Sequence, residues 1–144
     1  MTDLFFVDSN VLLYRRDASF ETKQKTADEW IRKLWTERSG RLSVQVLNEF
    51  YVTATQKLKP GMPRKEARAE VQDFLTWEPV ALSAELIRSA FEVQTRYEIS
   101  YWDSLIVSAA LAARCNFLLT EDLQDGQDFG GLKVVDPFAH PPRG

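Results

Sequence analysis

The chain has 144 residues, enough for one domain with its own core, and 44% of them are apolar, which excludes a disordered polypeptide. It carries a net charge of −3, one cysteine and one histidine, which excludes a disulfide framework, a His/Cys zinc site and any His-based triad. No apolar run approaches the ~20 residues of a membrane span, and the opening Met-Thr-Asp-Leu-Phe-Phe-Val-Asp lacks the basic start of a signal peptide, so a cytoplasmic protein is expected.

Strands and helices alternate along the chain. Leu4–Val7 is an apolar run that predicts a buried strand, and Asn10–Arg16 a short helix. Glu21–Arg38 places Ala27, Trp30, Ile31, Leu34 and Trp35 at helical spacing, with Gly40 as the stop. Arg41–Val44 predicts a short strand and Gln45–Leu58 a helix ended by Lys59-Pro60-Gly61. Arg64–Trp77 predicts another helix, Val80–Leu82 a short strand, and Ser83 the cap of a helix that runs to about Tyr97. Tyr101–Cys115 is the most apolar helix, Phe117–Thr120 a strand, and Lys133–Val135 a last short strand, after a polar loop over Glu121–Gly131. Alternation of this kind predicts one α/β domain over residues 1–144, with a central, mainly parallel sheet flanked by helices and a Pro-rich tail from residue 137. Cys115 reads as a buried small residue, and Trp30 and Trp35 as core or interface.

Charge is uneven. Residues 1–72 hold 13 Lys/Arg against 10 Asp/Glu, and residues 73–144 hold 5 against 11. Arg15, Arg16, Lys23, Lys25, Arg32, Lys33, Arg38 and Arg41 supply much of the basic excess. Two readings stand: solvated helix faces, or a phosphate-binding rim beside an acidic centre.

The acids carry the chemistry. Asp8 ends the first apolar strand, Asp122 follows Phe117–Thr120, Asp103 opens the apolar helix, and Glu49 lies in the first turn of its own. In an open α/β sheet, sites form beyond the carboxyl ends of the strands, and a right-handed crossover carries the ends of two parallel strands to one edge. Four acids gathered there cannot all stay ionised without a cation, and a hard oxygen-seeking ion such as Mg²⁺ or Mn²⁺ is the natural partner. Each acid also has a plainer reading. Asp8 is placed to N-cap the following helix, and Ser100-Tyr101-Trp102-Asp103 matches a capping box. Glu49 falls off the apolar stripe of Val46, Leu47, Phe50, Tyr51, Ala54 and Leu58, which predicts a solvated side chain. Asp122 shares its loop with Glu121, Asp125 and Asp128, and the sequence does not choose among them. A haloacid-dehalogenase phosphatase would need a second acid where Asn10 stands, and a receiver domain an early acidic pair that is missing.

Four segments together resemble a known family. Val7-Asp8-Ser9-Asn10-Val11-Leu12 is similar to the opening motif of PIN-domain ribonucleases. Leu47-Asn48-Glu49-Phe50-Tyr51, Tyr101-Trp102-Asp103-Ser104-Leu105-Ile106 and Leu118-Leu119-Thr120-Glu121-Asp122 resemble the second, third and fourth, in order and at compatible spacing. The chain looks most like the VapC-type toxins of prokaryotic toxin–antitoxin systems. The resemblance implies a three-layer sandwich and a homodimer with Mg²⁺- or Mn²⁺-dependent endoribonuclease activity. It also implies inhibition by a small antitoxin. It assigns metal binding to Asp8, Glu49, Asp103 and Asp122, with Asn10 and Thr120 in support. Asp8 and Asp103 are the expected direct ligands, with Glu49 and Asp122 orienting water or holding a second ion. The implied reaction is hydrolysis of transfer or ribosomal RNA, leaving 5′-phosphate and 3′-hydroxyl ends. The alternative is a PIN-fold binding module without activity. The antitoxin is expected to cover Trp30, Leu34 and Trp35.

Overall fold

The computed structural model describes residues 2–143. Along the chain it places β1 (Phe5–Val7), α1 (Ser9–Tyr14), α2 (Glu21–Glu37), β2 (Gly40–Arg41), α3 (Val44–Gln56), α4 (Arg64–Leu75), α5 (Ala84–Tyr97), α6 (Tyr101–Ala112), β3 (Phe117–Leu119), β4 (Asp128–Phe129) and β5 (Leu132–Val135). One five-stranded sheet has the order β2-β1-β3-β5-β4. β1, β2, β3 and β5 run parallel, and only β4 is antiparallel, paired with β5.

Neighbouring residues of a strand face opposite sides of its sheet. Phe6 and Val7 are both fully buried, as are Leu118 and Leu119, so helices cover both faces of the central strands. This explains the continuous apolar runs in place of alternation and gives the expected sandwich.

Serines start three helices. Ser43 accepts from Val46 N, Ser83 from Leu86 N and Ser100 from Asp103 N, each satisfying an N–H that the helix itself cannot.

Four local expectations differ from the structure. Helix α2 ends where expected, but its left-handed cap is Arg38 itself (φ 54°) and not Gly40. Gly40 serves packing instead: a Cβ there would meet the Trp77 ring at 2.4 Å. Val80–Leu82 contributes only a single bridge, Ser43 to Val80. The polar loop contains the unforeseen strand β4, joined to β5 by Gly130 and Gly131, both at positive φ, as a two-residue hairpin demands.

The fourth concerns the tryptophans. Trp30 (5% exposed) and Leu34 lie in the core and offer no face for an antitoxin, whereas Trp35, packed on Phe74 and Trp77, stays half-buried. Cys115 is buried as expected, and burial pushes its thiol up to about 12. Among the described residues no helix is long and apolar enough to cross a membrane.

Candidate active site at the carboxyl ends of β1 and β3

The chain leaves β1 toward β2 on one side and later returns to form β3 on the other. The gap between β1 and β3 is therefore the switch point of the sheet, where α/β domains open a crevice. Asp8 and Thr120 are the residues directly after these strands. Val7 and Leu119 are register partners, and Asp8 N donates to Leu119 O at 3.1 Å, so both side chains emerge at one edge.

Asp8 is 5% exposed and divides its carboxylate between two tasks. Oδ1 accepts from Ser9 N at 2.8 Å and caps α1. Oδ2 accepts from Thr120 Oγ1 at 2.9 Å and from Asn10 Nδ2 at 3.4 Å. The capping role and the site-facing role are thus both present, on different oxygens. Asn10 Nδ2 also reaches Thr120 Oγ1 at 3.0 Å and Asp122 Oδ2 at 3.2 Å, so one amide holds the first and fourth acids together. Asp122 N in turn donates to Thr120 Oγ1 at 3.1 Å.

Glu49 arrives on α3, which packs against α1. Ser9 Oγ donates to Glu49 Oε1 at 3.2 Å, and Gln45 Nε2 donates to Oε2 at 3.4 Å. Glu49 is half-buried rather than fully solvated, because α1 covers the flank of α3 that its periodicity marks as outward. Gln45 also donates to Trp102 O at 3.4 Å, tying α3 to the mouth of α6, where Asp103 stands in the first turn. Asp103 shares no hydrogen bond with the other acids but lies near enough to Asp122 to sense its charge.

The other acids of the loop are occupied elsewhere. Asp125 accepts from Asp136 N and pairs with His140, and Asp128 accepts from Gly131 N in the hairpin turn. Sequence reasoning missed two contributors, Ser9 and Gln45. Ser9 was visible inside the Asp8-Ser9-Asn10 motif, and Gln45 acts partly through a contact with a distant segment.

Electrostatically the site is one-sided. Burial pushes the Asp8 carboxyl up to about 7; hydrogen bonds from Thr120 and Ser9 oppose this, and the charges of Asp122 and Glu49 add to it. Burial also raises Asp103, against a hydrogen bond with Ser100, and the charge of Asp122 adds. Among the described residues none of the four acids is in a salt bridge. Of the basic residues in the first half of the chain, Arg15, Arg16, Lys23, Arg32 and Lys33 are each paired with other acids.

Among the described residues no three acids stand close enough to ligate one ion directly. The donors nevertheless fit a hard cation. All are oxygens, and Asn10 Oδ1 is buried without a hydrogen-bond partner, while its Nδ2 faces Asp8 and Asp122. Mg²⁺ commonly keeps several waters and takes only one or two carboxylates, which suits acids spread around an opening. A groove of 1010 Å³ lies elsewhere, lined by Arg15, Arg16, Trp35, Met62, Glu70 and Phe74 among others, and contains none of the four.

The PIN domain family pattern matches residues 5–124. Among solved structures the chain resembles FitAB bound to an IR36 DNA fragment (TM-score 0.72, 14% identity, 94% of this chain and 96% of that one). It also resembles Mycobacterium tuberculosis VapC20, a toxin that cleaves the sarcin-ricin loop (TM-score 0.60, 18% identity, 82% of this chain and 89% of that one). A third likeness is to VapBC2 from Rickettsia felis bound to a DNA fragment from its promoter (TM-score 0.59, 17% identity, 91% of this chain and 96% of that one). No curated protein sequence matches the chain significantly. At these identities the structural likeness speaks for the fold alone. The family match is broader, running from β1 into the loop after β3 and including Asp8, Glu49, Asp103 and Asp122, and on that match the chain belongs to the PIN domain family.

Proposed function

We propose that this chain is a metal-dependent endoribonuclease, acting by water attack on RNA phosphodiester bonds as the toxin of a toxin–antitoxin pair. The observation that carries the reading is the state of Asp8. It is buried, turned toward Asp122 and Glu49, and among the described residues in contact with no cationic side chain. Such a carboxylate is costly unless a positive charge arrives from outside the chain.

Bound Mg²⁺ or Mn²⁺ would supply Lewis acidity, lowering the pKa of water and neutralising charge on the phosphoryl oxygens. In this reading Asp8 and Asp103 would hold the ion, and Glu49 and Asp122 would orient water. Thr120 donates to Asp8 and favours its ionised form. Asn10 fixes the spacing of Asp8 and Asp122. No histidine lies near these residues to activate a ribose 2′-hydroxyl: His140, the single histidine, is paired with Asp125. Hydrolysis leaving 5′-phosphate and 3′-hydroxyl ends follows.

An in-line attack needs an accessible backbone, which fits a single-stranded loop as substrate; transfer or ribosomal RNA is what the resemblance to VapC-type toxins implies. The toxin role draws support from likeness to toxin–antitoxin complexes. A homodimer would cover the exposed Phe91 and Trp102, which both pack on Tyr101.

The test is cleavage of total cellular RNA by antitoxin-free protein with Mg²⁺ or Mn²⁺, with EDTA, and as Asp8→Asn. Discrete cuts lost with EDTA and with the substitution support the enzyme. Absence of metal-dependent cutting by folded protein overturns it and leaves the inactive binding module.

A further inference from the structure

The loop that carries Asp122 is held by more than Asn10. Glu121, its neighbour, is gripped at both oxygens. Tyr14 Oη donates to Oε1 at 2.6 Å, and Lys23 Nζ pairs with Oε2 at 2.8 Å. Lys23 Nζ also donates to Tyr14 Oη at 3.4 Å, and it lies 4.7 Å from the Tyr14 ring centre and 5.2 Å from that of Phe138. The Tyr14 ring meets Phe20 and Phe138 edge-on, which limits its freedom to swing away.

The spacing gives this grip its meaning. Asn10 and Tyr14 are four residues apart on α1 and so share one face of the helix. They bind consecutive residues of the loop: Asn10 holds Asp122, and Tyr14 holds Glu121. Helix α1, whose N-cap is Asp8, therefore sets the distance between the first and fourth acids at two points, and Lys23 locks the second from α2. Asp122 itself is exposed, and without the staple its loop would be free to relax away from the mutual repulsion of the acids.

We propose that Tyr14 and Lys23 are positioning residues that, through Glu121, hold Asp122 opposite Asp8 and so set the affinity of the site for its divalent cation. This rests on the metal-site reading above.

The test is Mn²⁺ titration by calorimetry on the full-length chain, compared among wild type, Tyr14→Phe, Lys23→Met, Lys23→Arg and Asp122→Asn, with melting temperatures alongside. Lys23→Met is the sharpest variant. By charge alone, deleting a cation beside an acidic site tightens Mn²⁺ binding; lost positioning weakens it. The expected result is three- to tenfold weaker binding in Tyr14→Phe and Lys23→Met, partial recovery in Lys23→Arg, and a larger loss in Asp122→Asn. Unchanged or tighter binding in Lys23→Met together with unchanged binding in Tyr14→Phe overturns the proposal, whatever the melting temperatures do, and leaves the metal-site reading standing. Failure of wild type to bind Mn²⁺ at all overturns both.

Discussion

Asp8 and Glu70 are both carboxylates, 5% and 6% exposed, yet their surroundings are opposite. Glu70 on α4 is clasped by Arg15 Nη1 at 2.9 Å and Arg16 Nε at 2.8 Å. Arg15 also pairs with Asp28 at 3.1 Å, and Asp28 with Arg32 at 2.6 Å. Burial works to raise Asp28, but the hydrogen bonds from Arg32 and Arg15 outweigh it and hold its carboxyl below the usual value. Charge in this cluster is balanced by the chain itself, and its acids are ordinary structural ions. Around Asp8 the neighbours are Asp122, Glu49, an amide and a hydroxyl. Burial alone does not separate structure from function. The missing counter-charge does, because a fold retains an uncompensated buried acid only at a cost in stability.

The largest effect that would break this comparison is on activity. Asp8→Asn keeps the volume but removes the charge and turns one of two accepting oxygens into a donor, so RNA cleavage should fall by at least roughly a thousandfold, a loss of about 4 kcal/mol in transition-state stabilisation. Glu70→Gln should leave the cleavage rate of the folded protein within about threefold of wild type. Rates normalised to folded protein check both; equal losses would mean the two acids do not differ in kind.

The next effect is on stability and its pH dependence. Asp8 has its carboxyl raised in the fold from 3.8 to about 7. Folding therefore favours the protonated form. The Asp8 contribution is fully present below about pH 4 and is lost as pH rises through about 7. Its full range is on the order of 4 kcal/mol. In metal-free protein, Asp8→Asn should melt near wild type at pH 4 to 5 and well above it at pH 8 to 9. Saturating Mn²⁺ should restore wild type at high pH, by about 2.7 kcal/mol at a hundred times the dissociation constant, and leave Asp8→Asn unmoved. Denaturant melts across pH, with and without Mn²⁺, test this. A pH-independent difference between the two proteins would remove the argument from Asp8.

For Glu70 the sign reverses. Glu70→Gln strands part of the Arg15 and Arg16 charge beneath α4 and should destabilise by about 2–3 kcal/mol. The same carboxylate-to-amide change thus stabilises one site at pH 8 and destabilises the other. Chemical denaturation of the two variants side by side sharpens the comparison most directly.

How far the sequence foretells these two regions follows from the range of the forces involved. Asp8-Ser9-Asn10 after Leu4–Val7 is legible because a strand end, a cap and an acid are all local features. Parallel pairing of β1 with β3 then follows from alternation and handedness, and it places Thr120 beside Asp8. Glu49 is not legible from its own helix: periodicity marks it as outward, and only the packing of α1 on α3 brings Ser9 to it. Asp122, Asp125 and Asp128 look alike in the sequence, and the distinction comes from Asn10 on one side and from His140 and Gly131 on the other. Glu70 sits in a run of charged residues that reads as a solvated helix face, and its burial depends on two arginines some 54 and 55 positions away. The β4–β5 hairpin, by contrast, went unread although its signal is local. Phe129-Gly130-Gly131-Leu132 is a two-residue turn between apolar residues, hidden only by the polarity of the loop before it.

The smallest effect tests whether the environment of Asp8 is tuned or merely acidic. Thr120 is fully buried and gives Asp8 its short side-chain hydrogen bond. Thr120→Val keeps the shape and deletes the donor, and it removes an acceptor from Asn10 Nδ2 and Asp122 N. Because that bond favours the ionised carboxylate, its loss raises Asp8 further, and protons compete better with a cation near neutral pH. Mn²⁺ affinity at pH 7 should fall by about tenfold, equivalent to roughly 1.4 kcal/mol, and should recover toward wild type by pH 9, where Asp8 is ionised in both proteins. A loss of similar size at both pH values would mean that Thr120 acts by placing Asp122 and Asn10 rather than by holding the charge on Asp8. The hydroxyl would then belong with the Tyr14–Lys23 staple as geometry, and the contrast with Glu70 would rest on Asp8 and its acidic neighbours alone.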